Sequence, residues 1–382
     1  MVVAKPWRRG TRPRPTSIHG RAAVIGRWGT GLCPAFVALV ALFLVLIAAG
    51  CAAPIRPSLA VLPIADPTPS APRPITFPRD ESPHDSLSEW WYYTGHLDTE
   101  SGAHYGFELT FFQAVRGQNP VGYAAHFAIT DPAGQRFSYE ERLDKSLRVQ
   151  GDGSYRLKLG DWQIGGDGAD HYLQASGKDY SLDLKLHSLK PPALHAGKGW
   201  ISFGPVGDSY YYSRTRMELS GSLGQAGKAE QVTGLAWMDH QWGDFILVNG
   251  GGWDWFSLQL GDGTELMVTV LRDQPGSVSA MYGSLVDREG GVTELRASDL
   301  EVEATGSWQS PHSGVSYPSG WRLRLPNQGL DLSLEPVLRD QELDTRASTG
   351  VRYWEGEVRA SGSRNGAPIS GLGYVELTGY AK

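Results

Sequence analysis

The stretch Trp90-Trp91-Tyr92-Tyr93-Thr94-Gly95-His96-Leu97 decides the fold, because the chain uses it twice. It matches Trp253-Asp254-Trp255-Phe256-Ser257-Leu258-Gln259-Leu260 without a gap. Each copy is followed by a glycine-containing turn and then by an apolar strand. An internal repeat of this kind indicates that one structural unit occurs twice.

A second pair of matching stretches lies further along the chain. Thr233-Gly234-Leu235-Ala236-Trp237-Met238-Asp239 corresponds to Ser370-Gly371-Leu372-Gly373-Tyr374-Val375-Glu376. The order of the four stretches is opening, closing, opening, closing. This order predicts two tandem copies with a seam near Gly243 to Gly252.

The two copies show the alternation that is typical of β-strands and almost no helical periodicity. Apolar residues at every second position mark the strand faces at Tyr105, Phe107, Leu109 and Phe111, and at Leu182, Leu184 and Leu186. We therefore predict an all-β protein with two tandem antiparallel β-barrels, over residues 85–245 and 246–382. A pair of β-sandwiches is the alternative, since alternation alone does not separate the two.

The N-terminal fifty residues are predicted to be a lipoprotein signal peptide. Seven basic residues precede an apolar run, residues 36–49, that ends in Ala48-Ala49-Gly50-Cys51. A basic start, a short apolar core and small residues before a cysteine are typical of such a signal. We expect cleavage before Cys51 and lipidation of that cysteine. The alternative is an uncleaved transmembrane anchor, and both interpretations export the rest of the chain to an extracytoplasmic, membrane-anchored location.

The mature chain would contain one cysteine, because Cys33, the other of the two, lies inside the signal. A disulfide within the chain is then excluded. Residues 51–84 contain many prolines and are predicted to be an extended tether that does not pack.

Charge and motifs exclude several classes of function. Removal of the seven basic residues leaves 28 basic against 41 acidic residues, a net charge of −13. Such an acidic protein is unsuited to nucleic acid. The chain has no Gly-x-Ser-x-Gly elbow, P-loop or Gly-x-Gly-x-x-Gly after a strand, so serine-hydrolase and nucleotide chemistry have no support. The ten histidines show no paired short spacing, so we predict no metal site and no cofactor.

The richest cluster of reactive side chains is residues 236–244. In an extended strand, His240 and Trp242 point to one side and Asp239 and Gln241 to the other. A histidine beside an indole face suits the handling of positive charge, so His240, Trp242 and Asp239 are the candidate catalytic residues. The second copy has no histidine at this place. The alternative is therefore a hydrogen-bonded structural histidine.

Candidate ligand-binding residues lie on the strands that open each copy. The aromatic members could stack on a ligand or pack the core, and the acids could face a barrel interior or solvent. His126, on an apolar strand, is predicted to be structural. The candidates are Trp91, Tyr92, Glu108, Trp253, Asp254 and Trp255.

Four stretches of the sequence resemble the AttH/CrtC-like family, over about residues 86–380. They are Glu89 to Gly95, Tyr211 to Thr215, Trp237 to Gly243 and Gly373 to Tyr380. The family comprises lipocalin-like proteins with two β-barrels and includes the carotenoid 1,2-hydratases. Other members are described as secreted hydrolases.

The resemblance implies a cofactor-free addition of water to a terminal isoprene double bond. This chemistry needs a protonated carboxylic acid in an apolar site and an aromatic face for the cation. The His-x-Trp pair of the family matches His240 and Trp242. The strand that carries the acid and a tyrosine in the hydratases is Leu266 to Val270 here, which has neither. Asp239, Asp244 or Asp254 would then supply the proton.

Three functions remain open at this stage. The chain could bind a hydrophobic ligand, such as an isoprenoid or another lipid, at the membrane surface. It could also convert that ligand as a hydratase or hydrolase. The third possibility is a scaffold with packed barrels and no ligand.

Overall fold

A computed structural model describes residues 72–114, 122–144, 155–204, 207–245, 251–273 and 277–381. Residues 71–382 form one compact unit. The predicted signal, Cys51 and most of the predicted tether lie outside the described residues. In the described part of the chain, no helix has the length and apolar character needed to cross a membrane.

The first sheet has twelve antiparallel strands. They are β1 (Ser88–Thr99), β2 (His104–Ala114), β3 (Gly122–Asp131), β4 (Arg136–Asp144), β5 (Tyr155–Leu159), β6 (Trp162–Asp167), β7 (Asp170–Ser176), β8 (Tyr180–Ser188), β9 (Ala193–Leu194), β10 (Trp200–Ser202), β11 (Asp208–Gln225) and β12 (Lys228–Gly243). The order is β4-β3-β2-β1-β12-β11-β8-β7-β6-β5, and β9 and β10 pair with β11. Arg142 of β4 donates to the carbonyl of Leu159 on β5 (2.9 Å), which links the two ends of the sheet.

The second sheet has ten strands, and a separate hairpin lies within the same copy. The strands of this copy are β13 (Gly252–Leu260), β14 (Glu265–Arg272), β15 (Ala280–Val286), β16 (Val292–Arg296), β17 (Glu301–Ala304), β18 (Ser307–Gln309), β19 (Ser316–Pro318), β20 (Trp321–Leu325), β21 (Leu330–Pro336), β22 (Glu342–Thr345), β23 (Val351–Arg364) and β24 (Ala367–Leu377). The order is β16-β15-β14-β13-β24-β23-β21-β20-β17, β22 pairs with β23, and β18 and β19 form the hairpin. Short 3-10 helices occur at Arg79–Glu81, His195–Gly197, Ala297–Asp299 and Pro326–Gln328.

The predicted fold class is confirmed, because both sheets are antiparallel and curl strongly into near-closed barrels. In each copy the first strand pairs with the last. Tyr92 of β1 lies opposite Asp239 of β12, and Trp255 of β13 lies opposite Glu376 of β24. These are the positions that the sequence repeat equates, so the repeat extends to the register of the strands.

Strand β1 is buried on both faces. One face of the strand points into the first barrel, and the other points toward the second barrel. Trp91, Tyr93 and Leu97 enter the core of the first barrel. The alternate residues face the second barrel: Tyr92 donates to Glu355 Oε1 (2.7 Å) and His96 Nδ1 lies 2.7 Å from Glu357 Oε1. The two barrels therefore pack through polar as well as aromatic contacts.

The last part of the predicted tether differs from the expectation that it does not pack. Ile75 and Phe77 contact the core of the first barrel, and Glu81 is buried. Glu81 forms an ion pair with Arg214 of β11, which is also buried. Two apolar side chains and a buried ion pair outweigh the tendency of the proline-rich sequence to remain extended.

Candidate functional site

A cavity of about 730 Å³ lies between the two barrels. One wall comes from the outward faces of β1, β2, β3 and β12, and the other from β13, β14, β15, β23 and β24. Cavities of this size bind drug-sized molecules. The site is thus made by the packing of the two copies, and neither barrel contains it alone.

Aromatic side chains from both barrels line this cavity. Tyr92 and Trp255 meet edge to face with ring centroids 5.1 Å apart. Ring faces carry negative electrostatic potential and attract a cation. The aromatic wall can therefore bind an apolar ligand and stabilise positive charge on it. It includes Trp90, Tyr92, Phe112, Tyr211, Trp253, Trp255, Tyr282 and Tyr353.

Besides Glu89, four carboxyl groups face the same space: Glu108, Asp239, Glu355 and Glu376. The first three are at least 96% buried, and Glu376 is partly open to the cavity. Carboxylates this close in an apolar setting repel one another and lose hydration, so the protonated forms are favoured.

Glu108 and Glu355 each keep one carboxyl oxygen without a partner. Oε1 of Glu108 accepts from the Thr110 hydroxyl (2.6 Å), and Oε1 of Glu355 accepts from the Tyr92 hydroxyl (2.7 Å). Among the described residues, neither Oε2 atom has a hydrogen-bond partner. Burial raises the pKa of Glu108 to about 8 and that of Glu355 well above its ordinary value, and the charge of Glu376 adds to both shifts.

Asp239 differs because three donors surround it. The Tyr211 hydroxyl and Trp237 Nε1 each lie 2.6 Å from a carboxylate oxygen, and the Ser213 hydroxyl also donates. Burial still raises the pKa of Asp239 to about 7. Three fixed donors hold this carboxylate in one orientation.

Glu376 is the equivalent of Asp239 in the second copy. It accepts a hydrogen bond from Trp253 Nε1 at 2.6 Å. Burial raises its pKa to about 7 as well. The cavity therefore has one acid from each of the two closing strands.

His126 also lines the cavity and is neutral. Its Nδ1 lies 2.7 Å from the Tyr353 hydroxyl and its Nε2 lies 3.1 Å from Ser348 Oγ. Burial lowers the pKa of His126 to about 3. The hydroxyl of Tyr353 also lies near Glu108 and slightly lowers the pKa of Glu108. The hydrogen-bond partner of this hydroxyl is His126.

Five of the nine candidate catalytic and ligand-binding residues line the cavity. They come from four strands that are spread over both copies. The five are Tyr92, Glu108, Asp239, Trp253 and Trp255.

The other candidates lie inside the barrels. His240 and Trp91 belong to the buried interior of the first barrel, and Trp242 is part of its core. Asp254 contacts Arg272 Nη2 (3.0 Å) and the Tyr380 hydroxyl (3.0 Å) in the second barrel. The cause is strand alternation: neighbours on one strand face opposite sides, so His240 and Asp239 enter different compartments.

Sequence reasoning did not find Glu355, which the register places beside Glu376 on the neighbouring strand. Glu376 itself was matched to Asp239 by the sequence repeat but was not among the candidate site residues. The signal that could have found both is an acid inside an aromatic or apolar strand, as in Trp354-Glu355-Gly356 and Val375-Glu376-Leu377. An acid in such a strand that is buried without a cationic partner is a candidate functional residue.

Of the three aspartates considered as proton donors, only Asp239 faces the cavity. Asp254 lies within the second barrel, and Asp244 is exposed, where it accepts from the backbone N–H of Leu87 (2.9 Å). Leu266–Val270 has no acid, and the acids that face the cavity lie on β1, β2, β12, β23 and β24.

The two barrels and the cavity between them define a lipocalin-like two-barrel protein. The chain belongs to the AttH-like family, which it matches over residues 68–380. A Nitrosomonas europaea protein assigned to AttH is 30% identical, with 82% of this chain and 99% of that chain covered and a TM-score of 0.73. The expected AttH/CrtC relationship is therefore confirmed.

Two more distant solved structures share the fold. Kievitone hydratase of Nectria haematococca is 18% identical, with a TM-score of 0.65 over 80% of this chain and 93% of that chain. CghA in complex with Sch210972 is 11% identical, with a TM-score of 0.53 over 77% of this chain and 89% of that chain. No curated protein sequence matches the chain.

Proposed function

We propose that the chain binds an apolar, alkene-bearing molecule such as an isoprenoid between its barrels and adds water to the double bond. The observation that carries the proposal is Glu108, a buried carboxylic acid with a free oxygen in an aromatic cavity. A pKa of about 8 keeps its proton in place at neutral pH and still allows its transfer.

The proposed reaction has two steps. The Glu108 carboxyl donates its proton to one alkene carbon, so that a C–H bond forms and the neighbouring carbon becomes a cation. A water oxygen then forms a C–O bond to the cation and loses a proton to the Glu108 carboxylate. The acid is regenerated, and the sum is alkene plus water to alcohol, without a cofactor.

The other cavity residues have separate roles in this scheme. Trp253 and Trp255 present ring faces to the cation. Asp239, held by its three donors, and Glu355 offer oxygens that orient the attacking water. A hydratase with the same fold, kievitone hydratase, shows only that the architecture is compatible with such chemistry.

The test is a search for hydrated product. The purified full chain, in detergent, is incubated with acyclic carotenoids in H₂¹⁸O, and products one labelled water heavier are sought by mass spectrometry. We expect Glu108→Gln to lower turnover by about 10²–10⁴-fold, because it removes the proton donor. Glu303→Gln, at an exposed position of β17, is the matched control and should retain turnover.

Other outcomes contradict the proposal in distinguishable ways. Full turnover in Glu108→Gln would show that another residue donates the proton to the alkene. A carotenoid retained unchanged by the wild-type chain would identify a carrier. Absence of both carotenoid binding and carotenoid turnover would show that the ligand is not an alkene of this kind.

We also propose that a lipid on Cys51 anchors the chain at a bacterial membrane surface, outside the cytoplasm. The support is the signal pattern of residues 1–50. A membrane location would concentrate an apolar ligand beside the cavity, whose lining includes exposed Leu143 and Val351. Mass spectrometry should find a diacylated N-terminal cysteine in the wild-type chain. Cys51→Ser should instead move the protein out of the membrane fraction.

A further inference from the structure

A second group of reactive side chains lies at one end of the first barrel. His84 precedes β1, Glu89 lies on β1 and His240 lies on β12. His84 Nδ1 and His240 Nε2 are each 2.7 Å from the same oxygen, Oε1 of Glu89. The three donor atoms all lie within 4.8 Å of one another.

Each of the three side chains is fixed by a further contact on its far side. Oε2 of Glu89 accepts from the backbone N–H of His84 (2.8 Å) and from Gln113 Nε2 (3.0 Å). His240 Nδ1 lies 3.2 Å from the Tyr212 hydroxyl, and His84 Nε2 lies 3.4 Å from Asp80 Oδ1. Partners of this kind orient the histidines and carboxylates that ligate metals in proteins.

Aromatic stacking fixes the planes of both imidazole rings. His84 stacks on Trp242 with centroids 4.0 Å apart and planes 1° apart. His240 stacks on Trp91 with centroids 4.7 Å apart and planes 22° apart. The group is therefore arranged before any ligand binds.

We propose that His84, Glu89 and His240 form a binding site for a divalent transition-metal ion, with Zn²⁺ as the best match. Two histidines and one carboxylate are a set that binds Zn²⁺ and leaves a fourth position open. In a tetrahedral site with bonds of about 2.0–2.1 Å, the ligand atoms lie roughly 3.3 Å apart. The two 2.7 Å distances from the histidine nitrogens to Glu89 Oε1 would therefore lengthen by about 0.6 Å when the metal binds. If the far nitrogens carry the protons, toward Asp80 and Tyr212, then Nδ1 of His84 and Nε2 of His240 are free to ligate.

A similar cluster, His96, His104 and Glu357, lies between the barrels, but Glu357 Oε2 has no hydrogen-bond partner among the described residues. His104 Nε2 lies 2.6 Å from Glu357 Oε1, and its Nδ1 lies 2.8 Å from Asp98 Oδ1. These carboxylates raise the pKa of His104 to about 9. The first group is the more firmly arranged of the two, because both of its imidazoles stack on tryptophans and both oxygens of Glu89 have partners, so the metal is assigned to it.

An ion could reach the first group. The His84 side chain is 10% exposed, and Glu89 also lines the cavity between the barrels. The inference does not depend on the hydration reaction, because the group is defined by its own geometry.

The experiment measures metal binding to the purified full chain after removal of metals with a chelator. Titration calorimetry with ZnCl₂ should give one ion per chain. His84→Gln should weaken Zn²⁺ binding by about 100-fold or more, because it removes one metal ligand. The position is partly exposed, so the variant should still fold. Glu89→Gln is the second variant, and circular dichroism checks that both fold. His104→Gln is the matched control and should bind Zn²⁺ as the wild type does.

Co²⁺ provides an independent readout. In the wild-type chain it should give the visible absorption of a tetrahedral site, and in His84→Gln this absorption should be lost. Unchanged Zn²⁺ binding in His84→Gln would overturn the proposal, as would a stoichiometry of zero. Binding that is lost in His104→Gln and kept in His84→Gln would assign the metal to the other cluster and also overturn it.

Discussion

At the scale of single residues, Glu108 is the clearest case of chemistry set by environment. Its carboxyl is 99% buried, and it faces two other acids, Glu355 and Glu376, and the hydroxyls of Tyr92 and Tyr353. No positive charge contributes to its pKa, which rises to about 8. The same residue on a solvated strand would be ionised at neutral pH.

The pH dependence of the proposed reaction follows from this pKa. The proton donor must be protonated, so kcat/KM should be constant near pH 7 and fall tenfold per pH unit above about 8. Initial rates of hydration between pH 6 and pH 10 measure this. A rate that rises through pH 8 would show that an ionised group is needed instead.

Stability should depend on the same group even without a substrate. Between about pH 4.5 and about pH 8 the unfolded chain loses the Glu108 proton and the folded chain keeps it. The free energy of unfolding therefore decreases as pH rises through this window. We expect Glu108→Gln to match the wild type at pH 4 and to be more stable than it at pH 9, by urea denaturation. The exposed variant Glu303→Gln should follow the wild type at both pH values, and an equal loss of stability at both in Glu108→Gln would contradict the assignment.

At the scale of elements, the alternation of side chains along a strand explains which candidate site residues line the cavity. The cluster on β12 was recognised from sequence, and its two faces were assigned to opposite sides. Which side would contain the ligand was not apparent, because both faces of β12 are buried near its end. Only the second barrel, packed on the outward face, creates the cavity beside Asp239.

The segment before β1 is a second case at this scale, and its buried ion pair gives a test. Glu81 is 1% and Arg214 is 4% exposed. Glu81→Ala leaves the guanidinium buried without a partner, so we expect a loss of about 3–5 kcal/mol in the free energy of unfolding. Asp179→Ala removes the partner of Arg136 at the surface, and this control should lose at most about 1 kcal/mol. Equal losses in the free energy of unfolding of Glu81→Ala and Asp179→Ala would show that the segment before β1 does not stabilise the first barrel.

At the scale of the whole molecule, the two barrels are joined by a buried charge cluster. Glu265 of the second barrel is fully buried and accepts from Lys190 Nζ (2.7 Å) and Arg216 Nε (2.6 Å) of the first. The Thr215 hydroxyl adds a third hydrogen bond (3.0 Å). We expect these contacts to couple the unfolding of the two copies.

Removal of this acid should therefore affect the cooperativity of unfolding. Glu265→Ala leaves two cations without their partner, and we expect a loss of about 3–5 kcal/mol and a transition that broadens or separates into two. Calorimetry measures both quantities. Asp331→Ala removes an exposed ion pair with Arg322 and should leave one sharp transition. An unchanged transition in Glu265→Ala would show that other contacts hold the barrels together.

The sequence by itself determined the all-β class, the tandem repeat, and the correspondence of Tyr92 with Trp255 and of Asp239 with Glu376. These features depend on local periodicity and on similarity between segments, which a single chain displays directly. Tertiary structure alone decided that the site lies between the barrels, that Glu355 joins it, and that His240 meets His84 and Glu89 inside the first barrel. Those contacts join residues far apart in the sequence; Tyr92 and Glu355 are 263 positions apart. Their meeting depends on how the two curled sheets pack, which no local pattern encodes.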